Sequence, residues 1–232
     1  MESLDSELNL ILVEKALCKR MPEFCGPLTA EKTIHGQSNP TYIISSKSDK
    51  CVLRRKPDGA LLPSAHAVER EYRVMKALAE SDLPVPRTHF LCEDPSEIGS
   101  VFFIMDFVPG NVFTDPRLPG LSVSEREMVY DQMNLGLAKL HKLKHEMLGL
   151  GDFGKQGNYF ERQYSRWSRQ YEASATEKFS EMDDLQQWLK INIPEEERLR
   201  CLVHGDWRID NLIYKNGSFD LVAVIDWEIS TL

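Results

Sequence analysis

No stretch of this chain stays apolar for long. The most hydrophobic segments, VFFIM (101–105) and LVAVI (221–225), fall far short of the roughly 20 residues that a membrane-spanning helix needs. The opening MESLDSELNL is acidic and has neither the basic start nor the apolar centre of a secretory leader. Basic clusters are missing too. With 28 Lys and Arg against 36 Asp and Glu, the net charge is −8, which argues against a nucleic-acid partner. Cysteine is scarce: five residues, at 18, 25, 51, 92 and 201, with no C-x-x-C pair. An odd count without that spacing argues against a zinc ribbon or a secreted disulfide framework and favours a reducing, intracellular compartment. The cysteines are therefore expected in the core. No internal repeat or low-complexity segment interrupts the sequence.

What is present suffices for a large core, since a chain of 232 residues buries roughly 70% of its unfolded surface. Leu4, Leu8, Ile11, Leu12 and Ala16 recur at helical spacing. KTIHGQSNPTYIISS and KCVLRRK read as strands around a glycine-containing turn. SAHAVEREYRVMKALAES, with Val68, Tyr72, Met75 and Leu78 in phase, reads as a helix, and SVFFIMDF as a strand running into the breaker pair of VPGNVF. Ser124-x-x-Glu127 has the form of a capping box before Val129, Met133, Leu137, Leu140 and Leu143. Phe160, Tyr164, Trp167 and Tyr171 make an aromatic helical stripe, expected to be core or interface rather than a substrate wall. A strand-rich half thus precedes a helix-rich half, an α+β arrangement of two lobes, 1–106 and 107–232.

Two short motifs mislead. GLGDFG (149–154) matches both G-x-G-x-x-G and D-F-G. A dinucleotide fingerprint must follow a strand within a βαβ unit, whereas this segment follows a long helix. It is expected to be a glycine turn ending that helix. His141 is expected to be structural.

The chemistry concentrates in CLVHGDWRIDNLIY (201–214) and in DLVAVID (220–226). Phosphoryl transfer needs an acceptor for the nucleophile's proton, oxygen ligands for magnesium, and positive or amide groups around the phosphates. H-x-D-x-x-x-x-N supplies His204, Asp206 and Asn211. By residue frequencies that pattern arises by chance in roughly one chain of this size in a hundred. Asp226 ends the next apolar run, and a hairpin would bring it beside Asn211, where both can face one ion. The plainer alternative is a polar turn with Asx hydrogen bonds.

These segments, with GQSNPTY, VLRRKPDGALLPSAHAVEREYRVMKAL, FIMDFVPG and NYFERQYSRW, resemble the aminoglycoside phosphotransferase and choline kinase-like family. The nearest likeness is to kinase-like domains fused upstream of acyl-CoA dehydrogenases. The resemblance implies a protein kinase-like fold with a strand-rich N-lobe and a helix-rich C-lobe, using ATP and Mg²⁺. It makes Asp206 the catalytic base or the carboxylate that orients the hydroxyl, assigns Asn211 and Asp226 to magnesium, and lets Arg208 neutralise phosphate charge, while His204 braces the loop. Gly36, Ser38 and Asn39 belong to a phosphate-covering turn. Met105 lines the adenine pocket, and the Asp106 carbonyl and Val108 amide meet the base. Arg54 stands where most kinases have lysine, with Lys56 in a shifted register as the alternative. Glu71 is its expected partner and Glu69 the second choice.

The chain stops six residues past Asp226, which reads as a C-terminally truncated second lobe. Three functions are open. The first is an ATP-dependent small-molecule kinase, with a hydroxyacyl-CoA as a sensible acceptor and a fused dehydrogenase as partner. The second is a nucleotide-binding pseudokinase or inactive fragment, and the third a metal-dependent phosphoester hydrolase. The resemblance suggests mitochondrion or peroxisome.

Overall fold

The computed structural model describes residues 8–33, 39–59, 66–154, 157–195 and 200–232. Two compact units are formed, one from Met1–Gly151 with Cys201–Thr231 and the other from Asp152–Arg200 with Leu232.

The first unit begins with α1 (Leu10–Cys18), whose N-cap Asn9 accepts from the backbone N–H of Ile11 and Leu12. Leu4 lies outside the described residues. A five-stranded antiparallel sheet follows, in the order β1 (Thr29–Lys32), β2 (Thr41–Ser45), β3 (Lys50–Arg55), β5 (Phe102–Asp106), β4 (Thr88–Cys92). Strand periodicity sorts its side chains. Tyr42, Ile44, Cys51, Leu53, Phe102 and Ile104 share a core with Val13 and Leu17 of α1. The alternate positions, Thr41, Ile43, Val52, Arg54 and Met105, line a cavity on the opposite face. That alternation puts an arginine inside the protein.

The helix α2 (Val68–Leu78) buries Val68, Glu71, Val74, Met75 and Leu78. Their three-to-four-residue spacing is that of a core-facing stripe, and Glu71 occupies a core position within it. A second sheet of three short strands runs β6 (Asn111–Val112), β7 (Leu212–Tyr214), β8 (Leu221–Val224). The run Cys201–Val203 is not a ladder strand; Val203 makes a single bridge to Thr231. The long helix α3 (Val123–Lys142) packs on β8, and Gly136 is where they meet. A Cβ there would lie 2.6 Å from a Leu221 methyl.

Three expectations need correction. The capping box of α3 is Ser122 with Glu125, not Ser124 with Glu127. Both registers satisfy S-x-x-E, but the helix starts earlier, where Glu125 Oε2 accepts from the Ser122 backbone N–H at 2.7 Å. Cys18 and Cys25 form a disulfide with Cα atoms 4.7 Å apart, because the turn Pro22–Phe24 brings the chain back to the end of α1. Only Cys51 and Cys92 are buried. The glycine turn at Gly149 (φ +69) does not end α3, which stops at Lys142 with Leu143 as its cap.

The second unit contains α4 (Tyr159–Ser174) and α5 (Ser180–Ile191). Neither helix has a buried residue. The aromatic stripe of α4 is not core: Phe160 and Trp167 are 51% and 57% exposed.

Candidate active site

Arg54 on β3 organises the interior end of the site. Its Nε donates to Glu71 Oε2 at 2.6 Å, Nη1 to Thr41 Oγ1 at 3.3 Å, and Nη2 to Asp226 Oδ1 at 2.6 Å. Glu228 Oε2 lies 3.6 Å from the same Nη2. Lys56 pairs instead with Glu69, so Arg54 and Lys56 each have their own glutamate on α2, and it is Arg54 that lines the cavity. Burial works against the Arg54 charge, but Glu71, Asp226 and Glu228 together hold its pKa above the ordinary value. Burial is also the largest influence on Glu71 and raises its carboxyl. Arg54 pulls it down, Asp226 and Glu228 push it up again, and it settles at about 7.

The loop His204–Asn211 forms the other end. Hydrogen bonds between Val203 and Thr231, in both directions at 2.8 and 2.9 Å, fix its entry. His204 is buried. Its Nε2 bonds the Ile225 carbonyl at 2.9 Å and its Nδ1 accepts from the Asp206 N–H at 3.2 Å. With both ring nitrogens committed and the ring against Trp227, His204 braces the loop. Burial lowers its pKa from the ordinary histidine value, against the pull of the Ile225 carbonyl and of Asp226 and Asp206. Gly205 has φ +91, and an added Cβ would sit 2.7 Å from the Ile229 carbonyl oxygen; only glycine fits that turn.

Asp206 is held from two sides. Asn211 Nδ2 donates to its carbonyl at 2.9 Å and to its Oδ2 at 3.1 Å, and Arg208 Nε lies 3.0 Å from Oδ1. Arg208 also reaches Asp210 Oδ2 at 3.2 Å, so Asp210 is tied into the loop's charge network. Asp226 has a left-handed backbone (φ 67), sparsely populated for a non-glycine residue. The strand β8 ends just before, at Val224, and Ile225 N–H bonds the Asn211 carbonyl at 3.0 Å.

Between these ends lies a cavity of about 230 Å³. Apolar side chains including Ile43, Val52, Met105, Ile213 and Ile225 line it, with Arg54, Glu71, Asn211 and Asp226 at its polar end. Asp106 and Val108 are part of its wall. The Asp106 N–H bonds the Arg87 carbonyl at 2.9 Å and its Oδ1 meets His89 Nε2 at 2.7 Å. Asn39 is fully buried, with Nδ2 donating to Glu228 Oε2 at 2.9 Å. Gly36 and Ser38 lie outside the described residues.

The chain matches the model of the phosphotransferase enzyme family, APH, over residues 30–232. It belongs to that family. Mouse acyl-CoA dehydrogenase family member 10 is 48% identical over 207 residues, covering 89% of this chain and 19% of the mouse protein. The chain thus spans about a fifth of that relative. A crystal structure from Ralstonia eutropha, assigned as an aminoglycoside phosphotransferase, is 44% identical with a TM-score of 0.83, covering 97% of this chain and 66% of that one. A ternary complex of streptomycin, ATP and APH(2″)-IIa shares the fold at 18% identity, with a TM-score of 0.66 over 97% of this chain and 74% of that one. The mixed α+β fold is therefore that of the kinase-like aminoglycoside phosphotransferases.

Among the described residues no group of three or more His, Cys, Asp and Glu is arranged to hold a metal ion. Of the oxygen-bearing side chains at the polar end of the cavity, Glu71 is taken up by Arg54, which leaves the amide of Asn211 and the carboxylate of Asp226 as the pair that a cation could share. That sparse, all-oxygen set fits magnesium, which keeps several waters and binds through one or two carboxylates plus substrate phosphates. The sequence reading missed Glu228 and Thr41.

Proposed function

We propose that this domain binds ATP with Mg²⁺ and transfers the γ-phosphoryl group to a hydroxyl of a small molecule. The observation that carries this reading is the double engagement of Asn211. It lines the cavity beside Asp226 and its amide holds Asp206, so metal end and base are joined by one side chain. The apolar walls suit a purine and the polar end suits phosphates. Magnesium, when bound by Asn211 and Asp226, would offset charge on the phosphate oxygens.

In the transfer step the acceptor oxygen attacks the γ-phosphorus while the bond to the β–γ bridging oxygen breaks. The hydroxyl proton passes to the Asp206 carboxylate, and ADP leaves. Arg208, which is 61% exposed, holds Asp206 until phosphate charge draws it away. The relatives' names connect this domain with acyl-CoA dehydrogenases, and a hydroxyacyl-CoA is the acceptor we favour, with the dehydrogenase as covalent partner.

One observation favours a second reading. The metal carboxylate Asp226 is engaged by Arg54 at 2.6 Å, as it would be in a pseudokinase that binds nucleotide without turnover. Magnesium-dependent ADP release, measured with and without 3- and 4-hydroxyacyl-CoAs on wild type and Asp206→Asn, separates the two. Turnover that depends on acceptor and on Asp206 supports the kinase. Nucleotide binding with no turnover supports the pseudokinase.

A further inference from the structure

The backbone reversal at Asp226 has an effect beyond orienting its own carboxylate. Trp227 follows with its N–H on Glu71 Oε1 at 3.3 Å and its buried indole Nε1 donating to the Val224 carbonyl at 3.0 Å. Glu228 is thereby delivered to the guanidinium of Arg54. A closed ring of polar contacts results. Glu228 Oε2 accepts from Asn39 Nδ2 at 2.9 Å; the Asn39 carbonyl accepts from Thr41 Oγ1 at 3.0 Å; Thr41 Oγ1 meets Arg54 Nη1 at 3.3 Å; and Arg54 Nη2 returns to Glu228 at 3.6 Å. Asn39, Thr41 and Arg54 are buried, and Glu228 is 18% exposed, so most of this ring is shielded from water.

We propose that Glu228 is a positioning residue for Arg54, the acceptor that lets the guanidinium release Asp226 when a divalent cation binds. The inference rests on the magnesium–nucleotide reading above. Arg54 Nη2 has two acidic neighbours, Asp226 at 2.6 Å and Glu228 at 3.6 Å. Nε stays on Glu71, but a cation that takes Asp226 deprives Nη2 of its nearer acceptor, and leaving a buried charged donor without an acceptor is costly. Glu228 is already within ion-pair range and is itself steadied by Asn39. It accepts the guanidinium with a shift of less than an ångström or so in contact distance, the scale separating an ion pair from a short hydrogen bond. Without that acceptor Arg54 competes with the cation for Asp226.

The test is the magnesium dependence of binding of a fluorescent ATP analogue, measured by titration on wild type, Glu228→Gln, Arg54→Lys and the double variant. Glutamine keeps an acceptor for Asn39 while removing the charge. Glu228→Gln is expected to raise the magnesium concentration needed for half-maximal binding about tenfold, the scale of one charge-assisted hydrogen bond. Affinity without magnesium should change less than about twofold. Because the effect runs through Arg54, the two substitutions should be strongly non-additive. An unchanged magnesium requirement in Glu228→Gln, or simple additivity with Arg54→Lys, would overturn the proposal. If Glu228→Gln fails to fold, Asn39→Ala carries the test. It frees Glu228 without altering any charge and should raise the magnesium requirement in the same direction; no change overturns the proposal. Wild type that binds no nucleotide at any magnesium concentration would overturn the underlying reading and this inference with it, an outcome recognisable because every variant would then be flat.

Discussion

Two acidic–basic clusters lie within one compact unit, and they are built to opposite specifications. Around Arg54 the side chains are hidden: Arg54 is 6% and Glu71 1% exposed. Around Asp206 they are open, with Arg208 at 61% and Asp206 at 34%. The buried cluster joins β3, α2 and the segment after β8 through charge that water cannot screen. The open cluster holds a carboxylate by contacts that can be exchanged at little cost. Under the function proposed here the contrast separates two duties: the first would keep the phosphate end of the cavity in register, and the second would leave the base free to meet an incoming hydroxyl.

The sharpest way to test that division is to separate activity from stability. Asp206→Asn is expected to lower phosphoryl transfer by about 10²–10⁴, the usual worth of a positioned base, while leaving the thermal midpoint close to wild type. A matching collapse in stability would break the distinction. Glu71→Ala should do the reverse of sparing the fold. Removing one partner of a buried ion pair costs about 3–5 kcal/mol, and because Asp226 still engages Arg54, the lower end, about 3 kcal/mol by urea denaturation, is expected.

A smaller effect tests the brace between the clusters. His204 has a folded-state pKa below its ordinary value, which is about 6.5 in an unfolded chain. Below that pH the unfolded chain binds a proton that the folded protein resists. Its contribution to stability is therefore complete above about pH 6.5 and is lost as pH falls towards the lower folded value. Stability measured between pH 7.5 and 5.5 should fall with acidification, and His204→Gln should flatten that slope. The least effect is expected from Arg208→Ala, less than about 1 kcal/mol of stability, since its ion pairs are exposed. A larger loss would mean that the open cluster is structural after all.

Much of this site is legible in the sequence because its chemistry is local. His204, Asp206, Arg208 and Asn211 fall within one loop, and the hairpin logic brings Asp226 to the same cavity as Asn211. The pairing of Arg54 with Glu71 rather than Glu69 needed the helix phase, which places Glu71 on the buried stripe with Val68 and Met75. Glu228 was not legible, since its position depends on the left-handed turn at Asp226, which propensity does not anticipate for aspartate. Among the strands, the rich apolar run of β5 was plain. The strands β1, TAEK, and β4, THFLC, lie at the edges of the sheet among the described residues and lack a strong alternating signal. The stripe on α4 has helical periodicity, but periodicity alone does not say what covers it.

The most direct test of the central claim, that Asn211, Asp226 and Arg54 form the phosphate and metal end of a nucleotide site, is a titration of the protein with a fluorescent ATP analogue with and without magnesium, repeated for Asp226→Ala. The account predicts saturable binding that ATP displaces, that magnesium strengthens, and whose magnesium enhancement disappears in Asp226→Ala. Binding indifferent to magnesium in wild type, or an enhancement that survives the loss of Asp226, would contradict it.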